Sequence, residues 1–356
     1  MRWLPRNSEM SNTLPFVIDA WYCAGFSSEF TDRPVGRRFL DRPVAIYRAQ
    51  DGALVALSDV CPHRFAPLHQ GRLENDVLSC PYHGLAFGRD GACVHNPHGS
   101  GKIPPRSNIA AYPIAERNGV AWIWIGNKPA VESEIPELNL VGGEEYPRIV
   151  GYMVINADYR LIIDNLLDLN HAPYLHGGSL SPVGTTRETT AERGDRSAAS
   201  HYLMRSVSTP ASQKMWYDKP TGDYHVSMEW QAPCTLRQTI AMTGEGRPKE
   251  EGAVTRGVHL LAPQDATSTH YFWIMTRNRK PHDTAADQHL KRIIDNAFLT
   301  EDGPMLEACQ ANMRGREFEA LHPIFLETDQ APGHARAVLR RMITDQDAGQ
   351  AGEAIA

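Results

Sequence analysis

Two thiols and two imidazoles stand in two short, similar groups in the first third of the chain. Cys61 and His63 are separated by one residue, and Cys80 and His83 are separated by two. Zinc would accept two cysteines and two histidines, but zinc sites usually take like ligands from the same loop. Here each group offers one sulfur and one nitrogen. The mixed pairing suits a two-iron, two-sulfide cluster in which one iron binds both thiolates and the other binds both imidazoles.

The residues around these four candidate ligands strengthen that interpretation. Pro62 and Arg64 flank the first histidine, Pro81 follows the second cysteine, and residues 82–84 are Tyr, His and Gly. At these positions the chain resembles the Rieske iron–sulfur family. Neutral imidazoles in place of two thiolates raise the potential of such a cluster to about −150 to +300 mV, against about −400 mV for all-cysteine ferredoxins. The alternative is a structural zinc site, or core cysteines and histidines without a metal.

The composition limits the class of protein. The chain has 356 residues, which is enough for two domains with cores of their own. The net charge is −6 and 22% of the residues are charged, so we expect no binding of nucleic acid. No apolar run reaches the roughly eighteen residues of a membrane helix, and no apolar segment near the start predicts a secretory signal. Residues 1–15 are expected to be flexible.

The cysteine usage favours a reducing compartment. Six cysteines in a chain of this length do not form a disulfide framework, and two of them are already candidate ligands. We expect a protein of the cytoplasm. The other four are expected to be small buried apolar side chains: Cys23, Cys93, Cys234 and Cys309.

The first half of the chain reads as many short strands joined by turns. Short apolar runs alternate with Gly, Asp, Asn and Pro, which is typical of an all-β domain, and two of the hairpins hold the ligand groups. Residues 16–128 are therefore predicted to form an all-β [2Fe–2S] domain. The polar residues 126–136 are predicted to join it to a second domain, residues 129–343. Three further histidines are interpreted as polar loop residues: His69, His95 and His98.

A second site is indicated by residues 158–176. Six apolar residues between positions 161 and 169 cover nearly every face of a helix, so this helix is predicted to be buried. Buried polar side chains must then be paired or bound to a metal. Asp164, Asp168 and His171 would fall on one stripe of such a helix, because they are four and three residues apart.

Two histidines of this stretch can share a metal only if the helix is interrupted. His171 and His176 lie five residues apart, which on an ideal helix separates their directions by about 140°. Pro173 lies between them and removes a backbone donor. We therefore predict a helix that breaks between the two histidines and lets His176 turn back.

Two imidazoles and one carboxylate around open positions form the ligand set of non-haem Fe(II) oxygenases. The spacing of Asp168, His171 and His176 resembles the mononuclear-iron motif of Rieske oxygenases, and Asp164 and Asn165 extend the match. Asn165 resembles a family residue that lies near the iron without binding it. The alternative is a pair of hydrogen-bonded core histidines, against which the order of the two motifs argues.

The resemblance assigns roles to acidic residues. In the family the iron-binding carboxylate comes from a later helix, and its best match is Asp302. Glu301 is the second candidate and Asp295 the third, and the alternative for each is a solvated acid at a helix end. The acid at the position of Asp168 instead bonds to a ligand histidine on one side and to a cluster histidine, here His83, of a neighbouring subunit on the other. A homotrimer is therefore implied by the resemblance.

The rest of the second half predicts an antiparallel sheet. Polar and apolar side chains alternate over five segments within residues 196–276. With helices before and after them, this half is predicted to be an α+β domain, and the family's is an antiparallel sheet covered by helices. Gln231 and His259 are candidates for substrate contacts, with ordinary strand hydrogen bonding as the alternative. Residues 344–356 are small and polar, and they are predicted to be a disordered tail.

Over most of its length the chain is similar to the single-subunit Rieske monooxygenases of the vanillate and dicamba O-demethylase type. The resemblance implies a Rieske [2Fe–2S] cluster, a mononuclear Fe(II) and the hydroxylation of a methyl group on an aromatic substrate, first of all an O-methyl aromatic acid, with release of formaldehyde. The sequence has no glycine motif for a nucleotide, so we expect a separate NAD(P)H-dependent reductase or ferredoxin. The segments that carry the likeness are residues 61–68, 80–85, 95–99 and 164–171.

Other reactions stay open at this point. Another Rieske substrate could be an N-methyl compound, a ring methyl group, or an arene that is converted to a cis-dihydrodiol. A protein that only transfers electrons is the more remote alternative.

Overall fold

The computed structural model describes residues 15–138, 140, 147–176, 180–182 and 187–353, with side chains described as far as residue 348. The predicted flexible N-terminus lies outside these residues, apart from residue 15. The first half is built from short strands joined by turns, which confirms the predicted all-β class. Its strands are β1 (Ala20–Phe26), β2 (Val35–Phe39), β3 (Arg42–Arg48), β4 (Leu54–Ser58), β5 (Arg72–Glu74), β6 (Val77–Ser79), β7 (Ala86–Phe87), β8 (Cys93–His95), β9 (Ala111–Tyr112), β10 (Ile114–Arg117) and β11 (Val120–Ile125).

Three small antiparallel sheets make up this half. Their strand orders are β2-β3-β4-β9, β5-β6-β7-β8 and β1-β11-β10. The first ligand group lies on the loop that follows β4, and the second on the turn between β6 and β7. Beneath both loops lies one buried apolar cluster, which includes Leu57, Leu68, Leu78 and Phe87. The two loops therefore share a common support.

The second half combines helices with long strands. Of the described α-helices, two lie between the first and second strands of this half, and three follow the last strand. The strands are β12 (Ile149–Ile155), β13 (Glu188–Arg193), β14 (Ser197–Ser208), β15 (Thr221–Gln231), β16 (Thr235–Thr243), β17 (Ala253–Asp265) and β18 (Ser268–Arg277). The helices are α1 (Tyr159–Leu167), α2 (Ala172–Leu175), α3 (Thr284–Asn296), α4 (Gly303–Met313) and α5 (Gln330–Glu353).

The strands of the second half form one seven-stranded sheet. Its order is β12-β18-β17-β16-β15-β14-β13, with every neighbouring pair antiparallel. The five alternating segments of the sequence all lie in it. The two edge strands, β12 and β13, are not among the predicted strands. β13 exposes nearly all of its side chains, so its sequence carries no apolar alternation.

The large sheet lies between two layers. Along β18, Tyr271 faces the helices and belongs to the same core as Ile162 of α1. The next residue, Phe272, faces the other side and packs in a cluster with Trp21 of β1 and Trp124 of β11. The predicted α+β class is confirmed, with helices on one face of the sheet and the first domain on the other.

The predicted junction between the domains is packed against the first domain. The indole N–H of Trp21 donates to the carbonyl of Val131, and that of Trp124 to the carbonyl of Lys128, both at 2.9 Å. Ile135 is buried in the cluster that contains both tryptophans. This segment therefore extends the surface with which the first domain covers the sheet. The exact boundary between residues 128 and 129 stays a prediction.

The buried helix α1 ends earlier than predicted. Its N-cap is Asp158, whose side chain accepts a hydrogen bond from the backbone N–H of Arg160 at 2.8 Å. The helix ends at Leu167, and the backbone of Asp168 is extended. There the Asp168 carboxylate accepts from the N–H of Asn170 at 2.9 Å, a local turn that competes with a further helical turn.

Pro173 begins a helix instead of breaking one. It lies in the first turn of α2, where a helix needs no backbone donor. His171 is the N-cap of α2 and His176 its C-cap. The predicted break between the two histidines was therefore wrong, since the break precedes His171. The single stripe of Asp164, Asp168 and His171 was wrong for the same reason.

The predicted disordered tail is wrong over residues 344–353, which belong to α5. This helix lies against α1, β13 and β14. Near its end, the side-chain amide of Gln346 donates to the carbonyl of Phe16 at 2.7 Å and accepts from the N–H of Ile18 at 3.0 Å. The small residues of this stretch are compatible with a helix, because alanine and glutamine are good helix formers and Gln346 anchors the last part of it.

Two expectations from the composition can be compared with the structure. Cys23, Cys93 and Cys234 are buried as predicted, whereas Cys309 of α4 is exposed. That helix turns other side chains, such as Leu306, toward the core. Within the part of the chain that the structure describes, no helix combines the length and the apolar character needed to cross a membrane.

Candidate metal centres and active site

The two cluster loops have the same backbone frame. In each, the N–H of the cysteine donates to the carbonyl five residues later, and the N–H four residues later donates back to the cysteine carbonyl, at N···O distances of 2.7 to 3.0 Å. The fourth residue after each cysteine has a left-handed backbone, with φ of +59° at Phe65 and +71° at Gly84. In both turns the backbone of the cysteine is thus held by main-chain hydrogen bonds.

The ligand side chains of these loops are sorted by type. Cys61 and Cys80 are buried, whereas His63 is exposed and His83 half-buried. The two imidazole rings lie 4.5 Å apart between centroids. Burial raises the pKa of the Cys61 thiol, and the neighbouring Cys80 thiol raises it further. Two thiols on the inside and two imidazoles on the outside fit a cluster in which each iron takes ligands of one type.

Other histidines near the cluster loops have structural contacts. A ring N–H of His98 donates to the backbone carbonyl of His83 at 2.8 Å. Nδ1 of His69 lies 2.5 Å from Oδ2 of Asp59, and Oδ1 of the same carboxylate accepts from the His69 backbone N–H at 2.6 Å. His95 lies on β8 with an exposed side chain. These contacts agree with the predicted role of the three as polar residues outside the ligand set.

Three predicted iron ligands come together at a second site. The Nε2 atoms of His171 and His176 are 3.2 Å apart, and each lies 3.5 Å from an oxygen of Asp302. One ligand atom from each residue can be chosen so that all lie within 4.8 Å of one another. His176 and Asp302 are buried, and His171 is half-buried. Two imidazole nitrogens and a carboxylate oxygen that face one point are the donor set of a mononuclear non-haem iron.

The outward-facing nitrogens of both imidazoles are already hydrogen-bonded. Nδ1 of His171 contacts the backbone carbonyl of Asp168, and Nδ1 of His176 lies 2.6 Å from a carboxylate oxygen of Glu301. Because both partners only accept, each Nδ1 carries the proton and each Nε2 directs a lone pair at the common point. Two lone pairs and a carboxylate around one point fit a bound cation.

Asp302 reaches this point from a π-helical turn, Ala297–Asp302, between α3 and α4. Nδ2 of Asn165 on α1 donates to Oδ1 of Asp302 at 3.0 Å, in agreement with the expected place of Asn165 near the iron. The third candidate, Asp295, instead pairs with Lys291 at 2.8 Å on the exposed side of α3. Of the three acidic candidates, Asp302 thus faces both histidines.

The burial of Asp302 matters for its charge. Burial raises the pKa of this carboxyl group, and the nearby His176 and His171 act in the opposite direction. A carboxylate that is 3% exposed is unfavourable unless it is paired or bound to a metal. A divalent cation at the common point would stabilise the ionised form.

Asp164 and Asp168, which were predicted to share one face of a helix, have separate surroundings. Asp164 accepts a hydrogen bond at 2.7 Å from the guanidinium of the buried Arg336 on α5, which stacks 3.7 Å from the ring centre of Phe318. Burial raises the pKa of Asp164 to about 6, although Arg336 opposes the shift. The expected hydrogen bond from a ligand histidine to the Asp168 carboxylate is not the contact observed, because His171 bonds to the backbone carbonyl of Asp168.

A mainly apolar cavity of about 80 Å³ opens beside the three candidate ligands. Besides the two histidines, its neutral polar groups belong to Asn165, Ser181, Tyr202, Tyr224 and Gln238. Among the described residues that line it, there is no lysine or arginine. The apolar lining consists of Leu166, Leu169, Ala172, Leu180, Val226, Met228, Ile240, Ile294, Ala297 and Phe298.

Neither predicted substrate contact lines this cavity. His259 is fully buried, with Nδ1 2.6 Å from the hydroxyl of Tyr271 and its ring 5.7 Å from that of Phe298, which separates it from the cavity. Burial lowers the pKa of His259 to about 3, so the imidazole is neutral. Gln231 lies on the other face of the sheet, where its side-chain oxygen accepts from Arg237 at 3.0 Å.

Gln238 is a polar strand residue of the cavity that was not among the predicted substrate contacts. It lines the cavity and lies opposite Met228 in the register of β16 with β15. Side chains alternate along a strand, so Gln238 shares its face with Leu236 and Ile240. The alternation that puts Leu236 and Ile240 on the buried face also puts Gln238 there. This is the sequence signal that could have identified Gln238.

Two family models match the chain. The Rieske [2Fe-2S] domain matches residues 20–113, and the vanillate O-demethylase oxygenase C-terminal domain matches residues 155–345. The first range contains both cluster loops. The second range contains His171, His176 and Asp302.

Three curated relatives are similar over nearly their whole length. The oxygenase component of dicamba O-demethylase from Stenotrophomonas maltophilia is 34% identical over 89% of this chain and 95% of its own. The oxygenase component of chloroacetanilide N-alkylformylase from Rhizorhabdus wittichii is 35% identical over 92% and 96%. A vanillate O-demethylase oxygenase subunit from a Pseudomonas species is 30% identical over 94% and 98%.

Solved structures lead to the same family. Dicamba monooxygenase bound to 3,6-dichlorosalicylic acid matches with a TM-score of 0.87 at 34% identity, over 94% of this chain and 99% of that one. The same enzyme with non-haem iron and dicamba matches with a TM-score of 0.79 at 33% identity, over the same shares. The cofactors are therefore a Rieske [2Fe–2S] cluster and a mononuclear iron, and the electron donor is a separate protein. With two metal sites, both domains and full-length relatives in agreement, this chain belongs to the Rieske non-haem iron oxygenases of the vanillate and dicamba O-demethylase type, as the terminal oxygenase of a multi-component monooxygenase.

Proposed function

We propose that this protein hydroxylates a methyl group of an aromatic substrate, and that a methoxy substrate so oxidised releases formaldehyde. The observation that carries the proposal is the group of His171, His176 and Asp302 in the wall of an apolar cavity. One O2, two electrons and two protons convert a methyl ether to a hemiacetal and water. The hemiacetal then decomposes to a phenol and formaldehyde.

The residues of the site have separate roles in metal binding and in the exclusion of water. When bound, the iron supplies the activation of dioxygen, with electrons that arrive through the cluster. His171, His176 and Asp302 would hold the metal from one side and leave the cavity side for substrate. Asn165 keeps the Asp302 carboxylate in place through its 3.0 Å hydrogen bond. The apolar lining, such as Phe298, excludes water from the oxidising centre.

The lining of the cavity favours a substrate that neutral donors can hold. Gln238 and Tyr202 offer an amide and a hydroxyl, and the guanidinium of Arg187 lies behind Tyr202, 5.9 Å from its ring centre. The carboxylate of an O-methyl aromatic acid would therefore accept hydrogen bonds from neutral groups. A volume of about 80 Å³ is small for a substituted ring, so lining side chains must move when it binds.

Removal of an N-alkyl group is the second candidate reaction. The relative named as an N-alkylformylase is 35% identical to this chain, against 34% for the dicamba O-demethylase. Hydroxylation of a carbon next to nitrogen gives an adduct that decomposes in the same way as a hemiacetal. The neutral polar groups of the cavity suit an aromatic amide as well as a methoxy compound.

We also infer a homotrimer in which electrons pass between subunits. Phe65 and Tyr82 on the cluster loops are 77% and 63% exposed, and Tyr174 beside the iron site is 89% exposed. Large exposed aromatic side chains are typical of contacts between proteins. In such a trimer Asp168 would bond to the partner subunit's His83. Light scattering should give three times the chain mass of 39.6 kDa, and the mass of one chain would contradict the inference.

A substrate panel tests the reaction. The purified protein, with both cofactors loaded and a surrogate reductase, is supplied with methoxybenzoates, their neutral methyl esters, and N-methyl or N-alkyl anilides. O2 consumption and aldehyde release are measured together. The proposal expects one formaldehyde for each O2 consumed with at least one methoxy compound.

The outcomes of this panel separate the alternatives. An aldehyde released only from N-alkyl compounds would select N-dealkylation. A diol that retains every carbon would identify a dihydroxylating enzyme. An intact methyl alcohol would identify a ring-methyl hydroxylase. The absence of any substrate-dependent O2 uptake by the loaded protein would leave only electron transfer and would refute the proposal.

A further inference from the structure

Two consecutive acids contact the same imidazole at the iron site. Nδ1 of His176 lies 2.6 Å from Oε2 of Glu301, and Nε2 of the same ring lies 3.5 Å from Oδ2 of Asp302. His176 is 3% exposed, so this imidazole is enclosed between them. The two carboxylates therefore face different nitrogen atoms of one ring, Glu301 facing Nδ1 and Asp302 facing Nε2.

The backbone explains how neighbouring residues can do this. Glu301 and Asp302 are the last two residues of the π-helical turn Ala297–Asp302. Single π turns inside helices are frequent at functional sites, because they change the direction of the side chains that follow. Nδ2 of Asn296 donates to the other oxygen of Glu301 at 3.3 Å and fixes the rotation of its carboxyl group.

We propose that Glu301 is a positioning residue for His176 and not an iron ligand. By accepting the Nδ1 proton, it fixes the tautomer and the orientation in which Nε2 faces the metal, and it makes Nε2 a stronger donor. The inference rests on the mononuclear iron of the proposed function, and it concerns metal binding before any substrate is present. It therefore fails or succeeds independently of the reaction.

The second histidine offers an internal contrast. Nδ1 of His171 contacts the backbone carbonyl of Asp168, which no side-chain substitution removes. Nδ1 of His176 depends on a side chain. Of the two imidazoles, only that of His176 can thus lose its outer partner through a change at Glu301.

The test measures Fe(II) binding by the full-length protein with its cluster intact and oxidised. The variants are Glu301→Gln, which keeps an acceptor oxygen, and Glu301→Leu and Glu301→Ala, which remove it. Asp295→Asn is the matched control, since this acid pairs with Lys291 on the exposed side of α3. Readouts are the dissociation constant of Fe(II) and the EPR spectrum of its nitric oxide adduct. An oxidised [2Fe–2S] cluster is diamagnetic and does not interfere, while its absorbance reports that each variant is folded.

The proposal expects a graded result. Glu301→Leu and Glu301→Ala should weaken Fe(II) binding by about 10- to 100-fold and change the symmetry of the EPR signal. Glu301→Gln should stay within a few-fold of the wild type, and Asp295→Asn should match it. Wild-type affinity and an unchanged EPR spectrum in Glu301→Ala would overturn the proposal. Loss of iron in Glu301→Gln as complete as in Asp302→Asn would also overturn it, because Glu301 would then be a ligand.

Discussion

The two metal centres of this chain are built in different ways. The four cluster ligands lie within residues 61–83, on two turns whose backbone hydrogen bonds repeat each other, and the imidazoles point to the surface. The iron ligands lie far apart in the sequence, at the ends of a one-turn helix and of a π-helical turn, and two of the three are buried. Asn165 and Glu301 complete that site through side chains.

This difference indicates what each centre depends on. The main chain holds the cluster turns, so we expect substitutions of the ligands and of the turn residues to have the largest effects there. The iron site is fixed by side chains from several elements. Single substitutions around it should therefore each lower the affinity for Fe(II) by a limited factor. The following predictions test this contrast, from the largest expected effect to the smallest.

Asp302→Asn should remove most of the mononuclear iron. The amide is a weaker ligand than a carboxylate for Fe(II), and it leaves the two facing imidazoles without a counter-charge. We expect activity to fall by at least about 100-fold, while the cluster absorbance stays unchanged. Iron analysis together with the visible spectrum measures both. Glu307→Gln is a control, because this acid bonds to Asn156 outside the site. Full iron content in Asp302→Asn would refute the assignment.

Cys80→Ser should abolish the cluster and leave the iron site able to bind Fe(II). The two centres share no ligand among the described residues, so we expect the Fe(II) dissociation constant to change by less than about twofold. The measurements are the loss of visible absorbance and a titration with Fe(II). Cys93→Ala replaces a buried thiol outside the four ligands and should keep the cluster. If Fe(II) binding disappears with the cluster, the centres are not built independently.

Acid sensitivity should be concentrated in the iron-binding half. The pKa of the buried His259 is lowered to about 3, whereas in the unfolded chain a histidine titrates near 6.5. The stabilising contribution of the neutral imidazole is thus present above pH 6.5 and is lost as the pH falls toward 3. Between pH 7 and pH 5 the loss is about 2 kcal/mol.

Urea unfolding at pH 7 and pH 5 tests this prediction. Between these two pH values, the free energy of unfolding of His259→Phe should fall by about 2 kcal/mol less than that of the wild type. Tyr271→Phe, which removes the hydroxyl beside Nδ1 but leaves the imidazole, should keep the wild-type pH dependence. Equal pH dependence in His259→Phe and the wild type would place the acid-sensitive group elsewhere.

The two cluster turns should respond oppositely to exchange of their left-handed residues. Gly84→Ala adds a Cβ at φ of +71° and 3.1 Å from Pro97, and we expect it to cost about 1–2 kcal/mol of stability. Phe65→Gly relieves the strain of a left-handed backbone at a residue whose side chain is 77% exposed. It should leave the stability of the protein unchanged or raise it by up to about 1 kcal/mol. Thermal unfolding compares them. Destabilisation by Phe65→Gly would mean that its ring is in contact with another subunit.

The cluster site could be predicted almost completely from the sequence, because its ligands and its turns are local. His171 and His176 could also be predicted from motif spacing, and Asp302 from the resemblance to the family. Their geometry could not, because it depends on where the helix ends. The Asx turn at Asp168 stops α1, and Pro173 then lies in the first turn of a new helix. The same residue type can break a helix or begin one, and the sequence alone does not decide which.

The substrate cavity was less predictable. Gln231 follows Trp230, which faces the helices, so the alternation along β15 would have excluded it from the cavity. His259 has the correct phase, but Phe298 from the π-helical turn Ala297–Asp302 covers it. No sequence signal marks the contact of Glu301 with His176, because the contact depends on a π turn. Local pattern decides which face a side chain takes, and only packing decides what covers it.

The packing of Trp21 and Trp124 against Phe272 has a consequence for any attempt to recombine this enzyme with its relatives. The electron-accepting half is not a detachable module, since the turn after β2 also bonds to β17, from Leu40 N–H to the carbonyl of Pro263 at 2.9 Å. A chimera that takes this half from another oxygenase would graft a foreign surface onto the outer face of the large sheet. Such a graft should succeed only if that face is exchanged with it.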